Sequence, residues 1–239
     1  MAWLTDRPIA HRGLHDGAAV PENSMAAFDA AIAASVPIEL DVHLLADGKL
    51  AVFHDESLER LTDATGRMEE TTSDDIKHLR LLGTDQRIPL LEEVLNRVGQ
   101  AVPILIDTKD RRIGGKLEAA LFRVLDASPC TYAIESFNPF SLRWFKRHAP
   151  HVARGQLSGD FRDAEAPYHQ KFLLKRYYLN FLSDPDFLAY DLRCLPNRFV
   201  ERERDRRGIP LLAWTVRTNE ELTRAKQLAD NVIFEEIRP

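Results

Sequence analysis

Short apolar runs alternate with helix-period segments along nearly all of this 239-residue chain, and no other feature limits its fold so sharply. Such alternation is the mark of βα units, and successive βα units build a parallel sheet. RPIAHRG at 7–13 reads as the first strand. Residues 24–34 follow as an Ala-rich helix with Met25, Phe28 and Ile32 on one face, capped by Asn23 or Ser24. Pro37 opens the second strand, PIELDVHLL. The rhythm resumes with VPILIDTK at 102–109, a helix at 116–125, TYAIESF at 131–137 and a helix at 141–148. HVARGQL at 151–157 comes next with a polar helix after it, then FLAYDL at 187–192. A charged helix at 198–207 leads to IPLLAWTV at 209–216, and NVIFEEI at 231–237 ends the series. Eight βα-like units in this length predict an α/β fold, a single (β/α)8 TIM barrel, whose usual size is about 250 residues.

One stretch departs from the rhythm. After the second strand, an Asp-Gly turn in ADGKLAVFHD predicts a short strand that returns His54 toward the end of that strand. Residues 56–100 are irregular, with helical patterns around 76–79 and 90–98. Their apolar content is too small for a core of their own, so 56–100 is expected to be an elaborated connection within one domain spanning 1–239. No linker divides the chain. The net charge is −5 and its basic residues are interspersed with acids, which argues against a nucleic-acid face or an anionic-membrane patch. The N-terminus lacks the apolar core of a secretory signal, and no apolar run is long enough for stable membrane insertion. Cys130 and Cys194, without CxxC spacing, read as reduced thiols, and the expected compartment is the cytoplasm.

The residues with chemistry to offer sit at strand ends. Glu39 and Asp41, two apart in a strand, project from one face, while Ile38, Leu40 and Val42 point the other way. Paired carboxylates resist ionising together unless a cation lies between them, and hard divalent ions such as Mg²⁺ or Ca²⁺ favour such oxygens. A solvated strand end carrying incidental acids is the plainer alternative. Asp107 and Lys109 repeat the i, i+2 spacing, either as a third carboxylate with a phosphate-binding ammonium or as a simple ion pair. His11 and His54 each end a strand-like run, and an imidazole in general titrates near neutral pH, as a proton-transfer pair requires. His15, His43, His78, His148, His151 and His169 read as structural or surface residues, with His43 continuing the Glu39/Asp41 face. Arg12 offers a planar fork for phosphate oxygens. Glu22 and Asn23 either orient Arg12 or the ligand, or merely cap the next helix. Trp214 either walls a ligand pocket or fills the barrel core, and Ser136 with Asn138 can line the same end of the barrel.

Taken together, IAHRG, PENSMAAF, IELDVHLLADGKLAVFHDESLERLTDATG, IPLLEEVL, PILIDTK, YAIESFNP and AWTV resemble the glycerophosphodiester phosphodiesterase family of the phosphatidylinositol-phosphodiesterase-like TIM-barrel superfamily. They occur in the family's order and cover nearly the whole chain. The resemblance implies a barrel that hydrolyses small-molecule glycerophosphodiesters to sn-glycerol 3-phosphate and an alcohol with a divalent metal ion. It implies general acid/base roles for His11 and His54, metal ligation by Glu39 and Asp41, and phosphate contacts from Arg12 and Lys109. Three positions depart from the pattern. Asp107 stands where the family usually has Glu, which draws the carboxylate back by roughly the length of a C–C bond, ~1.5 Å. Arg217 replaces a common Asn, and the last strand ends IFEE where a Thr-Asp pair is frequent, with Glu235 in the place of that Asp.

The physical expectation is attack by the neighbouring glycerol hydroxyl on phosphorus, giving a cyclic phosphate that water then opens. A phospholipase-D-like enzyme that acts on lysophospholipids and stops at the cyclic product is the alternative within the fold, and Asp107 points that way. A non-catalytic barrel that binds phosphate esters is the alternative outside it.

Overall fold

The computed structural model describes residues 2–109, 114–160 and 168–239, with side chains from 171 onward in the last segment. Nine strands form one sheet: β1 (Ile9–Ala10), β2 (Ile38–Leu44), β3 (Leu50–Val52), β4 (Ile104–Thr108), β5 (Tyr132–Ser136), β6 (Arg154–Ser158), β7 (Phe187–Asp191), β8 (Leu211–Val216) and β9 (Asn231–Phe234). The order is β1-β9-β8-β7-β6-β5-β4-β2-β3, and β1 also pairs with β2. Eight parallel strands therefore close into a TIM barrel, and β3 is an extra strand bonded antiparallel to the last three residues of β2.

Two compact units make up the chain, Ala10–Tyr132 on one hand and Met1–Ile9 with Ala133–Pro239 on the other. The first holds β2, β3 and β4 with helices α2 (Met25–Ala33), α3 (Ser73–Ile76), α4 (Leu91–Val98) and α5 (Lys116–Asp126), while a short α1 (Trp3–Asp6) belongs to the second. Ser24 settles the capping question: its hydroxyl accepts from the Ala27 N–H, and Asn23 is left for another task. Gly13 has φ +81°, and a Cβ there would lie 2.9 Å from the Ala27 carbonyl carbon. Only glycine lets the chain after His11 and Arg12 pass so close to α2.

The helix expected around 76–79 is a single turn at α3, begun earlier by a reciprocal Thr72–Asp75 capping box. The connection 56–100 does gather apolar side chains, Leu58, Leu61, Met68, Ile76, Leu81 and Ile88, but it buries them together with Leu45, Ala51 and Phe53 of the β2–β3 hairpin. That shared cluster fixes the segment that carries His54, Asp55 and Arg60.

The second unit holds β5–β9 with α6 (Pro139–His148), α7 (Tyr168–Lys175), α8 (Asn180–Ser183), α9 (Arg198–Arg207) and α10 (Asn219–Leu228). The polar helix expected after HVARGQL begins at Tyr168. Residues 161–167 and the His169 side chain lie outside the described set. Gly155 faces Phe187 across the β6–β7 pairing, and a Cβ on it would meet the Phe187 ring at 2.1 Å. Helix α10 has no counterpart among the sequence expectations, although Thr218 caps it by accepting from the Glu221 N–H. No described helix is long and apolar enough to cross a membrane.

Candidate active site

The site grows from the β2–β4 pairing. Glu39, Asp41 and His43 alternate with Leu40 and Val42, and all five are buried. Parallel register sets Asp41 beside Asp107, so both carboxylates leave the same face of the sheet. Glu39, Asp41 and Asp107 thereby bring one oxygen each to within 4.8 Å of one another. The shorter Asp107 still reaches the group. Its Oδ1 is buried and has no hydrogen-bond partner among the described residues, while its Oδ2 accepts from Lys109 Nζ at 2.5 Å. Lys109 Nζ also lies 2.8 Å from Asp41 Oδ1.

Arg12 holds the other two acids. Its backbone N–H, turned inward by a φ of +57°, donates to Glu39 Oε2 at 2.9 Å. Its Nη1 donates to Glu22 at 2.6 Å, and its Nε lies 3.3 Å from Asp41 Oδ2. Asn23, also at positive φ, donates from Nδ2 to Asp41 Oδ2 at 2.8 Å. Asp41 thus has a positive or donor group at each oxygen. Glu22 and Asn23 orient the cluster, and neither caps α2.

Burial pushes the Asp41 carboxyl up, but Lys109, Arg12 and the two histidines His54 and His11 outweigh it and hold it well below the usual range. Asp107, buried beside Asp41, stays above its ordinary value even with Lys109 bonded to it. Lys109 is pulled down by burial and lifted further by Asp107 and Asp41, so its net shift is upward. Among the described residues, Glu22, Glu39, Asp41, Asp55 and Asp107 share one cluster with the fixed cations Arg12, Arg60 and Lys109. Three buried oxygen donors, one of them without a partner among the described residues, are what a hard divalent ion fits.

His54 sits just beyond β3, tied down by two bonds. The Phe53 N–H donates to the Asp41 carbonyl at 3.0 Å, and His43 Nε2 lies 3.1 Å from the His54 carbonyl. A carbonyl only accepts, so His43 carries its proton on Nε2, and burial keeps its pKa low. His43 is therefore a strut. His54 Nδ1 lies 2.6 Å from Asp55 Oδ1. Burial pushes Asp55 up, but bonds from His54 and Arg60 take it far below the normal range, so its carboxylate accepts a hydrogen bond from Nδ1–H and leaves Nε2 with the free lone pair. His11 Nε2 lies 4.0 Å from Glu39 Oε2.

Arg60 is the residue that sequence reasoning missed. It donates to both Asp55 and Glu22. A lone arginine in a polar connection gives no signal of this kind.

The remaining candidates belong to the second unit. The buried Ser136 accepts on its hydroxyl from the Asn138 N–H, and Asn138 caps α6 by accepting from the Phe140 N–H. Trp214 packs edge-on against Phe137 at 5.7 Å, and its buried Nε1–H has no partner among the described residues. Glu235 accepts from Arg217 Nε at 2.5 Å, so the two departures at the ends of β8 and β9 are partners of one another.

The family model of the glycerophosphoryl diester phosphodiesterase family matches residues 11–237. The chain belongs to that family. It is accordingly a phosphoric diester hydrolase, and the non-catalytic alternative falls. A glycerophosphodiester phosphodiesterase of Caldanaerobacter subterraneus is 32% identical over 243 residues, 95% of this chain and 93% of that one. Among solved structures, an Oleispira antarctica phosphodiesterase in complex with its product sn-glycerol-3-phosphate superposes with a TM-score of 0.81 at 25% identity, covering 98% of this chain and 94% of that one. A Thermotoga maritima glycerophosphodiester phosphodiesterase gives a TM-score of 0.73 at 25% identity, covering 96% and 95%. Within the family, the buried acidic trio is consistent with a divalent metal site.

Proposed function

We propose that this chain hydrolyses glycerophosphodiesters to sn-glycerol 3-phosphate and an alcohol, with His11 and His54 exchanging protons and Glu39, Asp41 and Asp107 holding Mg²⁺ or Ca²⁺. The observation that carries the reading is the gathering of three buried carboxylates, one with an oxygen that has no partner among the described residues, in the field of both histidines. A divalent ion held there offsets charge on a phosphate oxygen. Arg12 and Lys109 add fixed positive charge for the remaining oxygens as the pentavalent centre forms. The glycerol hydroxyl next to the phosphate is a tethered nucleophile, which makes the first step effectively unimolecular. One histidine takes the proton of that hydroxyl and the other gives one to the departing alcohol, leaving a cyclic phosphate. Water then opens the ring with the two roles exchanged. His54 suits either role through Nε2, because Asp55 keeps a proton on Nδ1.

Trp214 is assigned to the substrate on its chemistry, an aromatic face and an N–H with no partner among the described residues. Residues 1–239 are taken as one phosphodiesterase domain with 56–100 as an elaboration inside it. Two free cysteines, Cys130 and Cys194, support the cytoplasm as its compartment.

A coupled assay for glycerol 3-phosphate released from glycerophosphocholine or glycerophosphoethanolamine tests the proposal. Release in Mg²⁺ or Ca²⁺ that EDTA abolishes is expected. No release from either substrate in Mg²⁺, Ca²⁺ or Mn²⁺ overturns it. His11→Ala and His54→Ala should each lower kcat by roughly 10²–10⁴-fold, and near-full turnover in either removes the proton-transfer assignment.

A further inference from the structure

Arg60 lies in the connection after β3, where its neighbours Leu58 and Leu61 are buried in the cluster shared with the hairpin. The backbone on both sides of Arg60 is therefore anchored. Its guanidinium is engaged on two edges at once. Nε and Nη2 donate to Asp55 Oδ2 at 2.5 Å and Oδ1 at 3.0 Å, while Nη1 and Nη2 donate to Glu22 Oε2 at 3.0 Å and Oε1 at 2.7 Å. Four of the five N–H donors of one rigid plane are used on two carboxylates. Each carboxylate has a second client: Asp55 Oδ1 meets His54 Nδ1 at 2.6 Å, and Glu22 Oε1 accepts from Arg12 Nη1 at 2.6 Å.

A single exposed ion pair contributes little, and the Arg60 side chain is 46% exposed. Two bidentate forks on one plane differ in kind, because neither carboxylate can turn without breaking two bonds. The chain His54–Asp55–Arg60–Glu22–Arg12 thus runs without a gap from a proton carrier to a phosphate ligand.

We propose that Arg60 is a positioning residue that braces His54 and Arg12 against one another through Asp55 and Glu22. The proposal rests on the roles assigned above to His54 and Arg12. With the guanidinium gone, Asp55 is free to turn away from Nδ1, and Glu22 keeps one cation in place of two. Proton transfer and phosphate binding then loosen together. Misplacement of reacting groups by about 1 Å costs ~100-fold, so Arg60→Ala should lower kcat/KM by roughly that factor, shared between a lower kcat and a higher KM. Asp55→Asn should act mainly on kcat and Glu22→Gln mainly on KM. Lysine is a point charge that serves one carboxylate well, so Arg60→Lys should recover one of the two parameters and not both.

Steady-state kinetics of the metal-replete full chain, with wild type, Arg60→Ala, Arg60→Lys, Asp55→Asn and Glu22→Gln on glycerophosphocholine, tests this, with thermal melting run beside it. Arg60→Gln replaces the alanine variant if that one melts much lower than wild type. A split loss in kcat and KM, with Asp55→Asn and Glu22→Gln adding little in the Arg60 background, is the expected result. Wild-type kinetics for Arg60→Ala or Arg60→Gln beside inactive His54→Ala and Arg12→Ala overturns the brace alone. Full activity of His54→Ala and Arg12→Ala overturns the roles beneath it, and the brace with them. Losses that add independently across the three positions also overturn it, because a brace requires coupling.

Discussion

Asp41 and Asp107 stand opposite one another in register on adjacent parallel strands, and one ammonium, that of Lys109, bonds to both. Two carboxylates so placed in a buried site repel, and their arrangement is stable only while cations are supplied. Lys109 supplies one. Asp107 Oδ1, without a partner among the described residues, and the nearby Glu39 are consistent with a divalent ion as a second.

Replacing Lys109 by Met removes the shared cation while keeping most of the side-chain volume. Breaking a buried pair in this way costs roughly 3–5 kcal/mol. Thermal melting should show Lys109→Met several degrees below wild type in EDTA, with added Ca²⁺ or Mg²⁺ raising the variant more than the wild type. Equal melting temperatures in EDTA would show that Lys109 does not hold the acids together.

The arginine-bonded acids set the low-pH limb of stability. Asp55 and Glu22 have folded pKa values below their ordinary ones, about 3.9 and 4.3 when unfolded. Their contribution is present above those values and lost as pH falls through the lowered ones. Urea unfolding from pH 6 down to about pH 2, across the range below the unfolded values, should therefore show a shallower acid-side loss in Asp55→Asn than in wild type. Parallel curves would mean that Asp55 is not held ionised by His54 and Arg60.

Much of this site is legible in the sequence, and the reason is local spacing. Glu39 and Asp41 share a face because strands alternate, and the same rule places Asp107 with Lys109 at the end of an apolar run. What is not legible depends on register and long-range contact. Arg60 meets Glu22 across 38 positions, and no periodicity joins them. The choice between Asn23 and Ser24 as helix cap turns on a positive φ at Asn23 that sends its side chain to Asp41. Arg217 and Glu235 look like two separate departures from the family until β8 and β9 bring them into an ion pair. Helix α10 is legible by the same local logic, since Thr218 and Glu221 carry the spacing of an N-terminal capping box.

Gly13 tests how the turn after His11 is built. Gly13→Ala meets both a φ of +81° and a 2.9 Å approach to Ala27. It should destabilise the fold by ~1–3 kcal/mol in urea and lower activity by shifting Arg12. An unchanged unfolding midpoint would show that the backbone there rearranges freely.

Phosphorus NMR separates the two in-fold reactions. On glycerophosphocholine the wild type should end at a phosphomonoester, with any cyclic phosphate transient. A cyclic product that persists would favour the phospholipase-D-like reaction over hydrolysis to glycerol 3-phosphate.

The central claim is that Glu39, Asp41 and Asp107 form one divalent-ion site on which the reaction depends. Calorimetric titration of Mg²⁺ and Ca²⁺ into the metal-free chain tests it most directly. One ion should bind per chain, and Asp41→Asn and Asp107→Asn should each weaken that binding by at least ~10-fold. Binding of equal strength in wild type and both variants would contradict the claim.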